Sequence, residues 1–422
     1  MRSGGRWGGW GMAAEWPTAT VSELERDGVL LVQDGNHGAS RPTGDEIVSQ
    51  GIPHVRALDI RPDGSIDLAG AQKVSETAWK RIKKGRSGPG DVLLTHKGTV
   101  GRVAVVPAGS GRVLCSPQTT FWRSLDEERL CQGFVSAFLR SGLFRTQLRR
   151  VMHETDMAPY VSLTSQRAMH VPLPPVGYQR SVASILEALD DKIESNVVLD
   201  RLLGEVCQAH FDRQFGDVLN GGTAILTDYA QVRMGHSPRG ATYSESDDGS
   251  GMLLVQGMGG FGNRFPFHNQ FTSAPLRTVP AGSPLMTVRA PVGAINVASR
   301  ETCIGRGVAG FVTDRPCFIE GLLRSIESRG GWKAYESGTI YSAVNRGQVE
   351  NLPLGRADLE VIEDYEAFAT PLVRLRSVLH REIGALTAMR DAVLPKLISG
   401  QIRVPLSDDV EEQMGAAVEA LT

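Results

Sequence analysis

The chain has 422 residues, 41% hydrophobic and 22% charged, with a formal net charge of −2. That length calls for two or three domains of ordinary globular composition, and the near-neutral charge argues against a protein that coats nucleic acid non-specifically. No apolar run approaches the roughly 18–20 residues needed to cross a bilayer, and the N-terminal stretch lacks a signal-peptide core, so the expected location is the cytoplasm.

Residues 1–15, rich in Gly and Trp, read as a flexible N-terminal extension, with Met12 as an alternative start. Residues 1–175 carry 22 Lys/Arg against 17 Asp/Glu (+5), residues 176–215 carry 4 against 7 (−3), residues 216–357 carry 13 against 11 (+2), and residues 358–422 carry 6 against 12 (−6). Two mildly basic blocks therefore alternate with two acidic ones, the last ending in an acidic tail over 405–422. A weak positive surplus suffices for nucleic acid if a partner supplies the remaining phosphate contacts.

The two basic blocks are one unit written twice. Val32, Gly35 and Val55 match Val232, Gly235 and Val255 at an offset of 200. GDVLLTHKGTVGRVAVV from Gly90 lines up with GSPLMTVRAPVGAINVA from Gly282, at 192. Leu139-Arg140-Ser141 matches Leu323-Arg324-Ser325 at 184, and Tyr160 and Pro172-Leu173 match Tyr341 and Pro353-Leu354 at 181. The falling offset fits a second copy with shorter loops, and the common order of the matches carries the conclusion. Each copy begins with short β-rich runs between Gly and Pro turns. A helical stretch follows, near 127–151 in the first copy and 319–327 in the second, and then a Pro-rich exit.

Each exit leads into a longer helix. Over 179–215 the residues Val182, Ile185, Leu186, Leu189, Ile193 and Leu203 share one face at helical spacing. The second helix is expected to start with Thr370 as N-cap and Pro371 at its first position. Leu372, Leu375, Leu379, Ile383, Leu386 and Val393 line its apolar stripe. Pro395 should end or kink this helix, and Gly400 marks the exit. Two such stripes most economically bury each other as an antiparallel coiled coil. The fold class expected is α+β, with two β-rich domains joined by two long helices in a pseudo-two-fold repeat.

The segment PLPPVGYQRSVASILEALDDKIESNVVLDRLL (172–203) resembles the central conserved region of type I restriction–modification specificity subunits, and RDAVLPKLISGQIRV (390–404) resembles their C-terminal conserved region. MGHSPRGATY, TVRAPVGAINVA and CIGRGVAGF in the second block resemble elements of their target recognition domains, as do IPHVRALDI and GDVLLTHKGTVGRVAVV in the first. The resemblance implies target recognition domains at 16–175 and 216–357, a central conserved helix at 176–215 and a C-terminal conserved helix at 358–404. It further implies that each recognition domain reads half of a split double-stranded DNA site, about one helical turn from the other half. The helices would dock two methyltransferase subunits, and restriction subunits with translocase and nuclease activities would join them. The chain itself would hold no catalytic residue and no cofactor. The family more often has Glu directly before Gln179, where this chain has Tyr178.

The chemistry-bearing patterns favour the same reading. The five cysteines (Cys115, Cys131, Cys207, Cys303, Cys317) are scattered without a Cys-x-x-Cys pair, and the nine histidines are dispersed, so neither a disulfide framework nor a metal site is expected. Gly257-Met258-Gly259-Gly260-Phe261-Gly262 fits G-x-G-x-x-G, but Asn263-Arg264-Phe265-Pro266-Phe267 follows where a nucleotide site needs a helix, so it reads as a flexible loop. No Gly-Lys-Ser/Thr and no Asn/Asp-Pro-Pro-Tyr/Phe occurs, and Asp190-Asp191-Lys192 reads as solvated helix charge rather than a nuclease site. Candidate DNA contacts are Arg56, His96, Lys97 and Arg102 in the first domain. In the second they are His236, Arg239, Gln256, Arg264, Arg289 and Arg306, because Arg and Lys pair with guanine and Gln with adenine in the major groove. Lys80, Lys83, Lys84 and Arg86 form a basic run suited to phosphates. The alternative function is a stand-alone sequence-specific DNA-binding or regulatory protein on the same scaffold.

Overall fold

Short apolar runs bounded by glycine turns form the sheets of this computed structural model, which describes residues 16–35, 41–152, 159–247, 249–333 and 343–404. The expectations for residues 1–15 and 405–422 lie outside the described residues. The chain divides into two units, one comprising Met1–Ile193 with Ala385–Thr422 and the other Glu194–Gly384.

In the first unit a four-stranded sheet runs in the order Leu30–Asp34, Thr119–Ser124, Val92–Thr95, Val103–Val105. Beside it stands a five-stranded sheet in the order Ile47–Val48, Gln72–Val74, Ile52–Val55, Val113–Cys115, Arg86–Ser87, in which Ile52–Val55 and Val113–Cys115 pair parallel. In the second unit the same four-stranded order recurs as Gln231–Met234, Val308–Val312, Pro284–Thr287, Ile295–Val297. The five-stranded order recurs as Tyr243–Ser244, Phe271–Thr272, Met252–Val255, Thr302–Ile304, Thr278–Val279, again with its single parallel pair in the middle.

The repeat extends to the turns. In the first unit Gly101, at φ +94°, donates from its amide to the Thr95 carbonyl at 2.9 Å; in the second Gly293, at φ +93°, donates to the Thr287 carbonyl at 2.9 Å. Both positions need the left-handed conformation that glycine adopts without penalty. Lys97 and Arg289, seven residues after equivalent glycines (Gly90 and Gly282) and on the same loop of each copy, each form an isolated bridge, to Tyr160 and Ala343.

The helical stretch expected near 127–151 is two helices, Gln132–Arg140 and Gly142–Val151, broken where Ser141 leaves helical geometry and caps the second by accepting from the Phe144 amide. Its counterpart is the single helix Pro316–Ser328. Each packs on the first long helix through a glycine. A Cβ on Gly133 would lie 2.6 Å from the Ala183 Cβ, and one on Gly321 would lie 2.5 Å from the Phe211 ring. Neither position has room for a side chain.

The first long helix spans Val176–Phe215 and the second Leu359–Ile398. The second starts eleven residues before the expected Thr370 cap and runs through both Pro371 and Pro395. A proline inside a helix costs about 3 kcal/mol. Upstream, however, Ile362, Tyr365 and Ala369 are buried in the aromatic core of the second unit, and burying one such large side chain contributes about 1.5–3 kcal/mol. The apolar stripe therefore continues past the proline. Gly400 does mark the exit, at φ +73°.

Within each unit the two helices run antiparallel. In the first unit Arg390 donates to Asp190 at 3.0 Å, while the Tyr178 hydroxyl reaches the Leu397 and Ile402 carbonyls, each at 2.8 Å. Tyr178, the departure from the family pattern, thus anchors the end of the second helix. In the second unit Arg376 pairs with Asp200 at 2.8 Å, and the Tyr365 hydroxyl donates to the Cys207 carbonyl at 3.3 Å. Val182, Leu186 and Leu379 are buried, and Leu189, Ile193, Leu203, Leu372, Ile383, Leu386 and Val393 are half-buried. Ile185 and Leu375 stand on the exposed side, contrary to their expected place on the interface.

Candidate nucleic-acid interface

Several candidate contact residues are already occupied. In the first unit Arg56 forms a bidentate pair with the buried Asp59, Nε to Oδ2 at 3.0 Å and Nη2 to Oδ1 at 3.1 Å, and that hydrogen bonding raises the Arg56 pKa. The Arg102 guanidinium donates to the Ile60 carbonyl at 2.7 Å. His96 is buried, its Nδ1 at 3.0 Å from the Val161 carbonyl, which removes it from any surface that DNA can touch. Lys97 alone among the four is exposed with no side-chain partner among the described residues.

Arg264 is also a correction. It is 2% exposed, paired with Glu320 at 2.5 Å and lying near the Phe265 ring, so it belongs to the interior of the second unit. Burial drives the Glu320 carboxyl upward, but the guanidinium groups of Arg264, Arg324 and Arg376 outweigh burial and hold it down at about 2. Arg264 follows a glycine-rich turn, which reads as surface loop; only its packing against Pro316–Ser328 reveals a structural charge.

The remaining candidates of the second unit converge. Gln256, Arg289 and Arg306 line one recess of about 200 Å³, together with Ser237, Gly257, Met258, Ala290 and Gly307. The G-x-G-x-x-G segment at its edge is a 3₁₀ turn, Met258–Gly260, followed by a bridge between Phe261 and Pro266, with no helix opening onto it. Arg289, Arg306, His236 and Arg239 are exposed, and none forms an ion pair among the described residues. Exposed guanidinium groups left without carboxylates keep their full charge for an anionic or acceptor-bearing ligand.

Gln256 plays a different part. Its Nε2 donates to Gln270 Oε1 at 2.9 Å, and its Oε1 accepts from the Tyr243 hydroxyl at 3.3 Å. The Nε2 is held by Gln270 and the Oε1 shares the Tyr243 proton with the Pro238 carbonyl at 2.9 Å, so Gln256 braces the recess floor. Sequence reasoning missed Ser237, whose Oγ accepts from the Arg306 amide at 3.1 Å, and Met258, a large apolar side chain exposed at the rim. No local pattern singled out either one. In the first unit the basic run is partly tied down, since Arg86 reaches the carbonyls of Ile82 and Trp79, while Lys80, Lys83 and Lys84 stay at the surface. Among the described residues no three His, Cys, Asp or Glu side chains converge as a metal site, and no helix is long and apolar enough to cross a membrane.

A protein named as the putative type I restriction enzyme MjaX specificity subunit of Methanocaldococcus jannaschii is 23% identical over 393 residues, spanning 84% of this chain and 88% of its own length. Over most of its length this chain is similar to that specificity subunit. The S subunit of the type I restriction–modification system from M. genitalium aligns over 90% of this chain and 96% of its own, at 12% identity and a TM-score of 0.57, so the fold is shared. The HsdS subunit from Thermoanaerobacter tengcongensis aligns over 94% of this chain at 23% identity and a TM-score of 0.37. No protein-family model matches the chain.

Proposed function

We propose that the chain is the DNA sequence-specificity subunit of a type I restriction–modification complex, a non-catalytic protein in which each unit reads one half of a bipartite site. The observation that carries this reading is the recess of the second unit, where Arg289 and Arg306 present unpaired guanidinium groups at a surface that His236 and Arg239 extend. Such groups hold phosphates and read base edges. In the first unit Lys97 occupies the position of Arg289, with Lys80, Lys83 and Lys84 as phosphate contacts.

The long helices supply the second half of the reading. On the first, Val198, Leu202 and Val206 recur every four residues along an exposed face; on the second, Leu375 and Val378 are exposed. Apolar side chains in rows on the outside of a helix pair mark a surface for other proteins. These faces would dock the methyltransferase subunits that modify adenine, and a restriction subunit would join that complex. Base flipping and methyl transfer belong to those partners.

The test is single-molecule methylation mapping of the host genome with and without this gene. The expected result is a split adenine-methylated motif that vanishes on deletion. An unchanged pattern in a host whose modification partner is expressed and active would refute the proposal.

A further inference from the structure

We infer that the half-site read by the unit Glu194–Gly384 contains a guanine whose major-groove edge is held by Arg306; this rests on the DNA-specificity reading above and deepens it.

Arg306 is presented on a tightly fastened turn. It is the one exposed residue between Thr302 and Gly310, and it stands between two glycines that are both buried. A Cβ on Gly305 would lie 3.0 Å from the Gln256 Cα and 3.1 Å from the Ser237 Oγ, and one on Gly307 would lie 2.3 Å from the Gln256 carbonyl oxygen. The turn is therefore pressed directly onto the strand end carrying Gln256. Its backbone is fastened as well, since the Arg306 amide donates to Ser237 Oγ at 3.1 Å and the Gly305 amide to the Val255 carbonyl at 2.8 Å. A side chain launched from such a platform is placed reproducibly, which base readout requires and phosphate contact does not.

The second step is the inventory of hydrogen-bonding groups around the recess. The Gly257 carbonyl accepts from the Gly260 amide at 3.0 Å, the Met258 carbonyl from Phe261 at 3.0 Å, and the Gly307 carbonyl from Val288 at 2.9 Å. Gln256 has its Nε2 engaged by Gln270, while its Oε1 shares the Tyr243 hydroxyl proton with the Pro238 carbonyl. Ser237 Oγ already accepts from Arg306. The charged groups that the recess offers a ligand are the guanidinium donors of Arg306 and Arg289. In the major groove only guanine offers two adjacent acceptors, O6 and N7. Adenine sets an amino donor beside N7, cytosine presents a donor, and thymine presents a single acceptor beside a methyl group. A donor-lined recess therefore selects guanine, and the exposed Met258 at its rim suits a neighbouring thymine methyl.

The first unit lacks this device. Its candidate arginines Arg56 and Arg102 are held by Asp59 and the Ile60 carbonyl. The two half-sites should differ accordingly.

The experiment uses the complex reconstituted with its modification subunits, once methylation mapping has identified the motif. Wild-type and Arg306→Ala complexes compete for a panel of duplexes in which each base pair of the site is changed in turn, and for one with 7-deazaguanine, which lacks N7. Wild type should discriminate at one G·C pair of a single half-site by about ten- to a hundredfold. Arg306→Ala should erase that discrimination and the 7-deazaguanine effect at this pair while leaving the other half-site's profile intact, which also controls for folding. A uniform fall in affinity with an unchanged profile and a salt slope about one unit shallower would make Arg306 a phosphate contact and overturn the inference. An unchanged affinity and profile, or a motif with no guanine in either half, overturns it as well. Failure of the underlying reading looks different: methylation by the wild-type complex would not depend on this chain at all.

Discussion

The ion pair between Asp200 and Arg376 gives the sharpest test of the packing argument for the helices. Both side chains are nearly buried, at 9% and 11% exposed, and Arg376 reaches the carboxylate with Nε at 2.8 Å and Nη2 at 3.4 Å. The guanidinium lies flat against the first helix at Gly204, where a Cβ would come within 3.0 Å of its atoms. Asp200→Ala leaves a buried guanidinium without its counter-charge, a loss of about 3–5 kcal/mol. At roughly 2–4 °C per kcal/mol for a domain of this size, the melting temperature should fall by on the order of 10 °C. The pair Asp200→Leu with Arg376→Met replaces both charges by apolar groups of similar volume and should recover much of the loss, less what Glu320 forfeits with the Arg376 charge. Arg201–Glu205, with both side chains 58% exposed, is the contrast, and Arg201→Ala should change stability by less than about 1 kcal/mol. Thermal and urea unfolding of the full chain, followed by circular dichroism, measures all four proteins. The reasoning is refuted if Asp200→Ala is as mild as Arg201→Ala, or if the double variant is as unstable as the single one.

Two further outcomes follow from the core of the second unit. Because the arginines hold the Glu320 carboxyl at about 2, below its ordinary 4.5, its stabilisation is present above pH 4.5 and is lost as pH falls toward 2. That depression corresponds to about 3 kcal/mol; Glu320→Gln should remove it at neutral pH and flatten the acid limb of the stability curve, whereas an unchanged pH profile would count against the cluster. Gly321→Ala should destabilise the chain although alanine favours helices by about 1 kcal/mol, because the new methyl meets Phe211, itself packed against Phe215, Phe318 and Tyr365. Overpacking of about 1–3 kcal/mol outweighs the propensity gain, and Phe211→Leu in the same chain should recover part of the loss in a urea titration.

Local pattern was enough to reveal the duplication, the β-rich character of each copy and the two long helices, because strand alternation, glycine turns and helical periodicity are properties of neighbouring residues. Glycines at matching positions, such as Gly101 and Gly293, carried the repeat down to individual turns. The buried pair also has a signal in the sequence: Asp200 falls among the apolar positions of the first helix, and Arg376 among those of the second. Charged residues at core spacing are a hint of a buried pair.

What sequence pattern did not decide was which charges are free. Arg56 has its partner Asp59 only three residues along, but Arg102, Arg264 and Arg306 all follow or sit among glycine- and proline-marked turns, and nothing in their neighbours separates them. Their fates depend on groups distant in the chain: Glu320 lies 56 residues from Arg264, and the Ile60 carbonyl lies 42 residues from Arg102. Pro371 makes the same point for the backbone, since a strong local stop signal gave way to the burial of Ile362 and Tyr365 upstream. Periodicity is written residue by residue, so the architecture could be read directly. The balance of charge at a surface is settled only when remote segments fold together, and for that reason the recess around Arg289 and Arg306 emerged only from the tertiary structure.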